Sequence, residues 1–583
     1  MNFFNFVTLI GGVAFFLFGM SVMSSSLEKV SGGKLGKMLN TANASRGRSF
    51  MLGAGFTVAL QSSSAVTVLL VGLVNSGLMT LRQTIGVIMG SNVGTTLTAW
   101  ITSLAGLDSE GNFLLQLVNP ENFSPLFAVL GAVLLMFSRK QKVKNAGGII
   151  CGFAVLMYGM VMMSNAVAPL KASPEFASIL TAFKNPFLGL LAGTVVTGII
   201  QSSAASVGIL QAFAGGGGLT YGAAIPIIMG QNIGTCVTAL ISSIGVSKPA
   251  KRVAVVHIMF NVVGTAIYFV IIYGLNLIFN FTFLDNPISP LAIAIFHSIF
   301  NITVTAILFP FASLLEKLAL LMVRDKQKDG TATLLLDERL LNSPSLALTS
   351  CHDIILNMCD SAKTAVTEAL SLVGKYVEAK AVAVREQEGI LDLCEDKLGT
   401  YLVKLSARDL TISDSSQAAK FLRAIGDLER IGDHALNILQ SAEELNNKKI
   451  SFSQAAVADF ERLTAALDEI IVMTTDAFRE NNESTAKQVE PLEQVIDLLV
   501  RNARDNHILR MQRGECGIEQ GFVWNDILVN MERISDHCSN LALTVITLPD
   551  GAFSSHDYMR ETRVESNTEF YYAFEHYRQK YGL

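Results

Sequence analysis

The chain has 583 residues, a formal net charge of −5, 50% hydrophobic residues and 16% charged ones. Those averages hide a division near residue 323: 16 Lys plus Arg against 7 Asp plus Glu before it (+9), and 28 against 42 after it (−14). One half suits lipid and the other water, and the acidic half lacks the basic excess of a nucleic-acid binder.

In chain order, the first apolar run covers residues 5–23. It has no basic leader and no small-residue cleavage site, so it is expected to be a retained helix and not a removed signal peptide. Residues 80–103, 146–169, 221–245, 253–279 and 289–315 are further apolar runs almost free of charge, each long enough to cross roughly 30 Å of hydrocarbon, and 123–138 is a shorter span. Between them, residues 50–60 form an apolar run of 11 that ends at Gln61. At about 1.5 Å per residue it reaches only about half the hydrocarbon thickness. Residues 186–200 repeat the arrangement before Gln201. Interrupted segments at matching places in two halves mark a transporter site, so residues 50–77 and 186–214 are expected to be re-entrant hairpins.

The two halves are related. Residues 61–100 laid over 201–240 without a gap give 16 identities in 40. Gln61, Ser62, Ser63, Met89, Gly90, Asn92, Gly94 and Thr95 match Gln201, Ser202, Ser203, Met229, Gly230, Asn232, Gly234 and Thr235. Close helix packing in a bilayer needs small residues but does not call for Gln or Asn, so this pattern points to a binding site. The repeats are expected around 47–140 and 184–280.

Charge placement supplies an orientation, because cytoplasmic loops carry the Lys and Arg excess. With both hairpins returning to their starting sides, one side holds Lys29, Lys34, Lys37, Arg46, Arg48, Arg82, Arg139, Lys140, Lys142, Lys144, Lys248, Lys251 and Arg252; only Lys171 and Lys184 fall on the other, with Asp108, Glu110, Glu121, Glu175 and Asp285. This puts the N-terminus outside, brings the chain into the cytoplasm at Arg324, and makes the repeats inverted.

No Asp or Glu is expected well inside a span, so a cation site there must use hydroxyl, amide and backbone oxygens, a donor set that suits sodium. A proton relay has only His257 and His297 to use. An oxyanion needs hydroxyls, amide NH2 groups and the exposed N–H groups of a half-helix, and co-bound sodium offsets the cost of burying its charge. A smaller repeat aligns His257, Phe260 and Asn261 with His297, Phe300 and Asn301; His and Asn at i and i+4 share a helix face, placed to hydrogen-bond across helices.

The QSSS motif, the GSN-GT segment, their duplication and the HxxFN motif together resemble the type II sodium-dependent phosphate cotransporter family, over roughly residues 1–320. The resemblance implies an all-α polytopic transporter in the cytoplasmic membrane, sodium-coupled, working by alternating access. It puts phosphate on Ser62, Ser63, Ser64, Thr95, Ser202, Ser203 and Thr235, and sodium on Gln61, Ser64, Asn92, Gln201, Ser203 and Asn232. The chain departs from the family pattern at Ala204, where a third serine is common, and in having no HxxFN after its first repeat; Asp108 falls in a loop. Another anion, outward movement, or a tethered scaffold that does not transport are the alternatives.

After a linker at 324–344, residues 345–548 are rich in Leu, Ala, Glu, Asp and Lys with helical periodicity, and read as a helical bundle; 549–583 form a tail. A second duplication sets ERIGDHALN (429–437) against ERISDHCSN (532–540), with Glu388 and Asp392 echoed by Glu493 and Asp497. Carboxylates at i and i+4 repel and need neutralising. Salt bridges from Arg430 and Arg533 would serve; so would a multinuclear metal shared by Glu388, Asp392, Glu429, Asp433, Glu493, Asp497, Glu532 and Asp536. The motif pair resembles the PhoU family of phosphate-uptake regulators, which implies the metal: iron, zinc or manganese. No Walker A loop or other enzyme motif is present. Phosphate, sodium ions and the lipid bilayer are the expected partners, with a cytoplasmic signalling protein and a second copy of the chain as further candidates.

Overall fold

A computed structural model describes residues 3–39, 45–104, 119–169, 185–215, 219–324, 336–408, 410–546 and 568–583. Asp108, Glu110, Lys171, Glu175, Lys184 and the first part of the expected tail lie outside them. Regular structure among the described residues is helical, apart from one isolated antiparallel bridge between Thr220 and Pro287. The chain forms two compact units, Met1–Leu346 and Ala347–Leu583.

The first unit contains α1 (Phe3–Leu39), α2 (Arg46–Leu60), α3 (Ser63–Asn75), α4 (Leu81–Ser103), α5 (Pro120–Phe137), α6 (Gln141–Val167), α7 (Pro186–Ile200), α8 (Ser203–Gly215), α9 (Tyr221–Gly234), α10 (Cys236–Ser242), α11 (Lys248–Phe279), α12 (Pro290–Leu308) and α13 (Ala312–Met322). Among the described residues, six stretches are long and apolar enough to cross a membrane: Phe3–Leu27, Pro120–Phe137, Gln141–Val167, Tyr221–Ser242, Lys248–Phe279 and Pro290–Met322. Helix α4, at 23 residues, is about 35 Å long. Its Ser, Thr and Asn content keeps it out of that set, and most of it is buried. Helices α5 and α7 start alike: Asn119 and Asn185 cap them, accepting from the N–H groups of Glu121 and Phe187, with Pro at the first helical position.

Glycine sets how these helices meet. Helices α2 and α4 touch main chain to main chain: a β-carbon on Gly53 would collide with the carbonyl of Val87, and one on Gly90 with the carbonyl of Phe50. In α7 and α9 the same collisions recur 140 residues later, Gly193 on Ile227 and Gly230 on Leu190. The duplicated sequence is thus a duplicated packing arrangement. Gly12, Gly19, Gly152 and Gly159 seat α1 against α6 with equally little room, the small-residue packing that brings membrane helices together.

Part of the segment read as a linker is packed. Asp337 accepts a 2.9 Å hydrogen bond from Asn75 at the end of α3 and pairs with Arg339 at 2.9 Å; Arg339 also donates to the carbonyl of Ile244 at 3.2 Å. The same Asn75 accepts from the N–H of Ser247 at 2.9 Å. Leu340, in the 3-10 turn Glu338–Asn342, is fully buried against Gly72. In the described part of the segment read as a linker, Asp337 and Arg339 thus meet partners within the first unit.

The second unit contains α14 (Pro344–Leu372, whose first residues belong to the first unit), α15 (Glu378–Ser406), α16 (Ile412–Lys448), α17 (Gln454–Glu480), α18 (Glu483–Ala486), α19 (Val489–Gln512), α20 (Ile518–Val545) and α21 (Thr568–Lys580). Apolar stripes such as Leu428, Ile431, Ala435 and Ile438 on α16, and Ile527, Ile534 and Leu541 on α20, are buried between the helices. Helix α21 docks on α17 through Lys580 and Glu469, 2.7 Å apart, and through Tyr577, whose hydroxyl meets the Met473 sulfur at 3.9 Å.

Candidate functional site

The chain breaks at the same two places in the two repeats. Helix α2 stops at Gln61 and α7 at Gln201, each in the left-handed region, with φ of 52° and 58°. A side chain in that conformation costs roughly 1 kcal/mol or more, so the surroundings must hold it there. Immediately afterwards Ser62 and Ser202 start α3 and α8, their hydroxyls accepting from the N–H groups of Ala65 and Ala205 at 3.1 and 3.2 Å. Ser63, Ser64 and Ser203 are buried in the first turns. Each break therefore exposes a helix N-terminus, where N–H groups and the helix dipole favour an anion.

The polar side chains of α4 present the opposite polarity. Asn92 donates to the carbonyl of Ile88 at 3.0 Å and Thr95 to that of Ser91 at 3.0 Å. A hydroxyl that gives its one proton to the backbone retains lone pairs, and Asn92 retains its carbonyl oxygen, which is what a cation needs. In the second repeat, Thr235 donates to the carbonyl of Asn232 at 2.6 Å, while Asn232 donates to Asn301 at 2.9 Å.

Several contributors were not singled out from the sequence. Gln61 accepts from Thr98 at 3.0 Å; Thr102 lies 3.0 Å from the Thr98 carbonyl and 2.5 Å from Gln211 Oε1. Gln211, fully buried on α8, also donates to the carbonyls of Ala99 and Pro290 at 2.9 and 3.1 Å. A polar chain thus runs from Gln61 at the end of α2 to Gln211 on α8 through α4. Ser206 forms another node, accepting from Thr197 at 2.8 Å and Gln231 at 2.9 Å. The signal was there in part: Gln211 and Gln231 are amides in apolar runs. The two QSS elements share no direct hydrogen bond among the described residues.

The HxxFN pair works differently from the expectation. Its asparagines bond across helices, Asn301 to Asn232 and Asn261 to the Cys236 sulfur at 3.4 Å. Its histidines are buried, yet both ring nitrogens of His297 and Nδ1 of His257 have no partner among the described residues.

In the second unit, the second acidic row brings Glu493 and Asp497 of α19 together with Asp536 of α20, their oxygens within 4.8 Å of one another. Glu532 lies apart from that trio, 3.6 Å from Arg504, and Arg533 meets Asp536 at 3.2 Å. In the first row, burial raises the Glu388 carboxyl above the usual range, helped by Asp433 and Asp392, and burial and Asp433 raise Glu429. His434 and His537 stack at 5.6 Å and turn their Nδ1 atoms to Asn530 and Asp427 at 2.8 and 3.0 Å. Three carboxylates at that spacing fit a hard cation.

Residues 15–165 and again 155–285 match the Na+/Pi-cotransporter family, and residues 355–442 and 460–545 each match the PhoU domain. The chain is therefore similar to that family over residues 15–285, a little under half of its length. It is 22% identical over 551 residues to the Salmonella typhimurium protein named "Putative inorganic phosphate export protein YjbB", covering 93% of this chain and 97% of that one. Over 109 residues it is 31% identical to the human sodium-dependent phosphate transport protein 2B, covering 18% and 16%. Over 206 residues it is 22% identical to a PhoU homologue of Clostridium acetobutylicum, covering 35% and 93%. No solved structure matches. The family is one of transporters, with PhoU as a regulatory domain, and not of enzymes.

Proposed function

We propose that this chain moves inorganic phosphate across the cytoplasmic membrane together with sodium. What supports the reading is the pair of left-handed breaks at Gln61 and Gln201, each opening directly onto a serine-capped helix N-terminus. Phosphate takes the N–H groups and hydroxyls of Ser62, Ser63, Ser64, Ser202 and Ser203 with Thr95 and Thr235; sodium takes the oxygens of Gln61, Ser64, Asn92, Gln201, Ser203 and Asn232. Drawn as inverted re-entrant hairpins, with the N-terminus outside and the PhoU domain in the cytoplasm, the two breaks meet near the midplane and open alternately to either side.

The test is labelled-phosphate flux in proteoliposomes with the sodium gradient imposed in each direction. Flux that follows the gradient, and disappears when Ser62, Ser63, Ser202 and Ser203 become Ala without loss of insertion, is the expected result. Flux indifferent to sodium removes the coupling, and unchanged flux in the variant removes the site. Outward movement is a second reading, favoured by the relative named for export.

For the PhoU domain, the proposal is regulation through a metal held by Glu493, Asp497 and Asp536, with Glu388, Asp392, Glu429 and Asp433 as the corresponding row and Glu532 at its margin. An all-carboxylate set suits iron or manganese better than zinc, which favours Cys and His in structural sites. Elemental analysis of the protein with Glu493 and Asp536 replaced by Gln checks this; metal content equal to the parent would leave Arg533 and Arg504 as the neutralising groups.

A further inference from the structure

A cavity of about 380 Å3 opens in the second unit between α17, α19 and the tail helix α21. None of the acidic-row residues lines it, and its character is different. Arg462 and Arg578 line it from α17 and α21, and Asn502 and Asn506, one turn apart on α19, supply amide groups. Asp459 also lines it, but this carboxylate is buried and neutralised from two sides, by Arg462 at 2.6 Å and by the buried Arg510 at 3.0 Å. Arg510 does not line the cavity, and its Nε and Nη2 have no partner among the described residues. In a half of the chain that is net acidic, Arg462 gives one nitrogen to Asp459 and Arg578 one to Glu575 at 3.1 Å, which leaves each guanidinium further N–H groups to turn to the cavity. Leu498 and Leu499 give the cavity an apolar wall.

We infer that this cavity binds a small phosphorylated organic molecule, with Arg462 and Arg578 holding its phosphoryl oxygens. Guanidinium groups match phosphate geometry with paired N–H donors, and the asparagines read polar groups on the remainder. Small-molecule sites begin near 300 Å3, so the space suits a ligand up to about mononucleotide size and is too large for a lone oxyanion to fill. Arg578 comes from α21, so the site is complete only when the tail helix is docked, which gives residues 568–583 a role in reporting metabolite state to the PhoU domain.

The test uses the full chain in lipid nanodiscs, titrated calorimetrically with AMP, ADP and inorganic phosphate. AMP or ADP should bind, and the double variant Arg462→Ala, Arg578→Ala should weaken that binding by roughly tenfold or more, the loss of two charge-assisted contacts. Arg462→Lys with Arg578→Lys should recover part of it, because charge persists while the paired geometry is lost. Hydrogen exchange in residues 568–580 of the parent should slow with nucleotide and not in the Ala variant. If inorganic phosphate binds here as tightly as AMP and is lost in the same variant, the organic part of the proposal falls. If no nucleotide binds, or the Ala variant binds with parental affinity and shows parental exchange, the site itself falls.

Discussion

Thr98 donates a 3.0 Å hydrogen bond to Gln61, whereas Thr238, its counterpart 140 residues on, donates to the Thr235 carbonyl of its own helical segment at 2.7 Å. Gln61 is buried and Gln201 exposed. The two repeats share a backbone break and differ in whether a threonine closes it. Thr98→Val should therefore loosen the first break by about the worth of one buried hydrogen bond, roughly 1 kcal/mol or several-fold in the opening equilibrium. Thiol labelling of a cysteine placed at Ser62 measures it. Thr238→Val should leave labelling at Ser202 unchanged, because the bond it loses lies within its own segment and does not reach Gln201.

The seams at Gly90 and Gly230 leave no room for a methyl group against a carbonyl that cannot move aside. Gly90→Ala or Gly230→Ala should cost about 3 kcal/mol or more and leave little monodisperse protein in size-exclusion chromatography. Gly274→Ala, where nothing lies within 4 Å of the added carbon, should purify as the parent does.

Gln211 ties α8 to α4 and to the start of α12 through three hydrogen bonds. Gln211→Leu removes three buried hydrogen bonds between helices, at about 0.5–1.5 kcal/mol each, while the Ala99 carbonyl keeps Thr102 at 3.1 Å. The expected outcome is normal membrane insertion with phosphate flux reduced at least tenfold; parental flux would show that the bridge between the repeats is dispensable.

Acidity offers a separate check on the PhoU domain. The Glu388 and Glu429 carboxyls are held above their ordinary range in the folded state, so the folded domain binds protons more readily than the unfolded chain. Their contribution is then a destabilisation that sets in as pH rises through their folded values and is relieved as pH falls towards the ordinary carboxylate range. In chelator-treated protein, hydrogen exchange within 378–448 should slow as pH is lowered from neutrality towards 5, after correction for intrinsic rates. Glu429→Gln should flatten that dependence.

Much of the transporter was readable because polar residues in an apolar background are conspicuous. Gln61, Gln201 and the serines after them stand out in any pass along the chain, and the offset of 140 reappears in the glycine seams. What sequence could not supply was pairing at a distance. Thr98 and Thr102 look like ordinary helix residues until Gln61 and Gln211 are seen to meet them, the latter 109 residues away. Asp337 and Arg339 read as linker charges for the same reason, since Asn75 lies 262 residues earlier. Burial decided the histidines: His and Asn one turn apart suggested matching bonds, but only the asparagines reach a partner.

The anchoring of residues 337–340 also fixes how the first unit ends. Only Ser343 separates the turn that grips α3 from the first residue of α14. The arm that begins at Ser63 is therefore clasped at its far end by Asp337 and Leu340, so Asp337→Ala would slacken that end of α3 while the backbone at Gln61 keeps its left-handed turn.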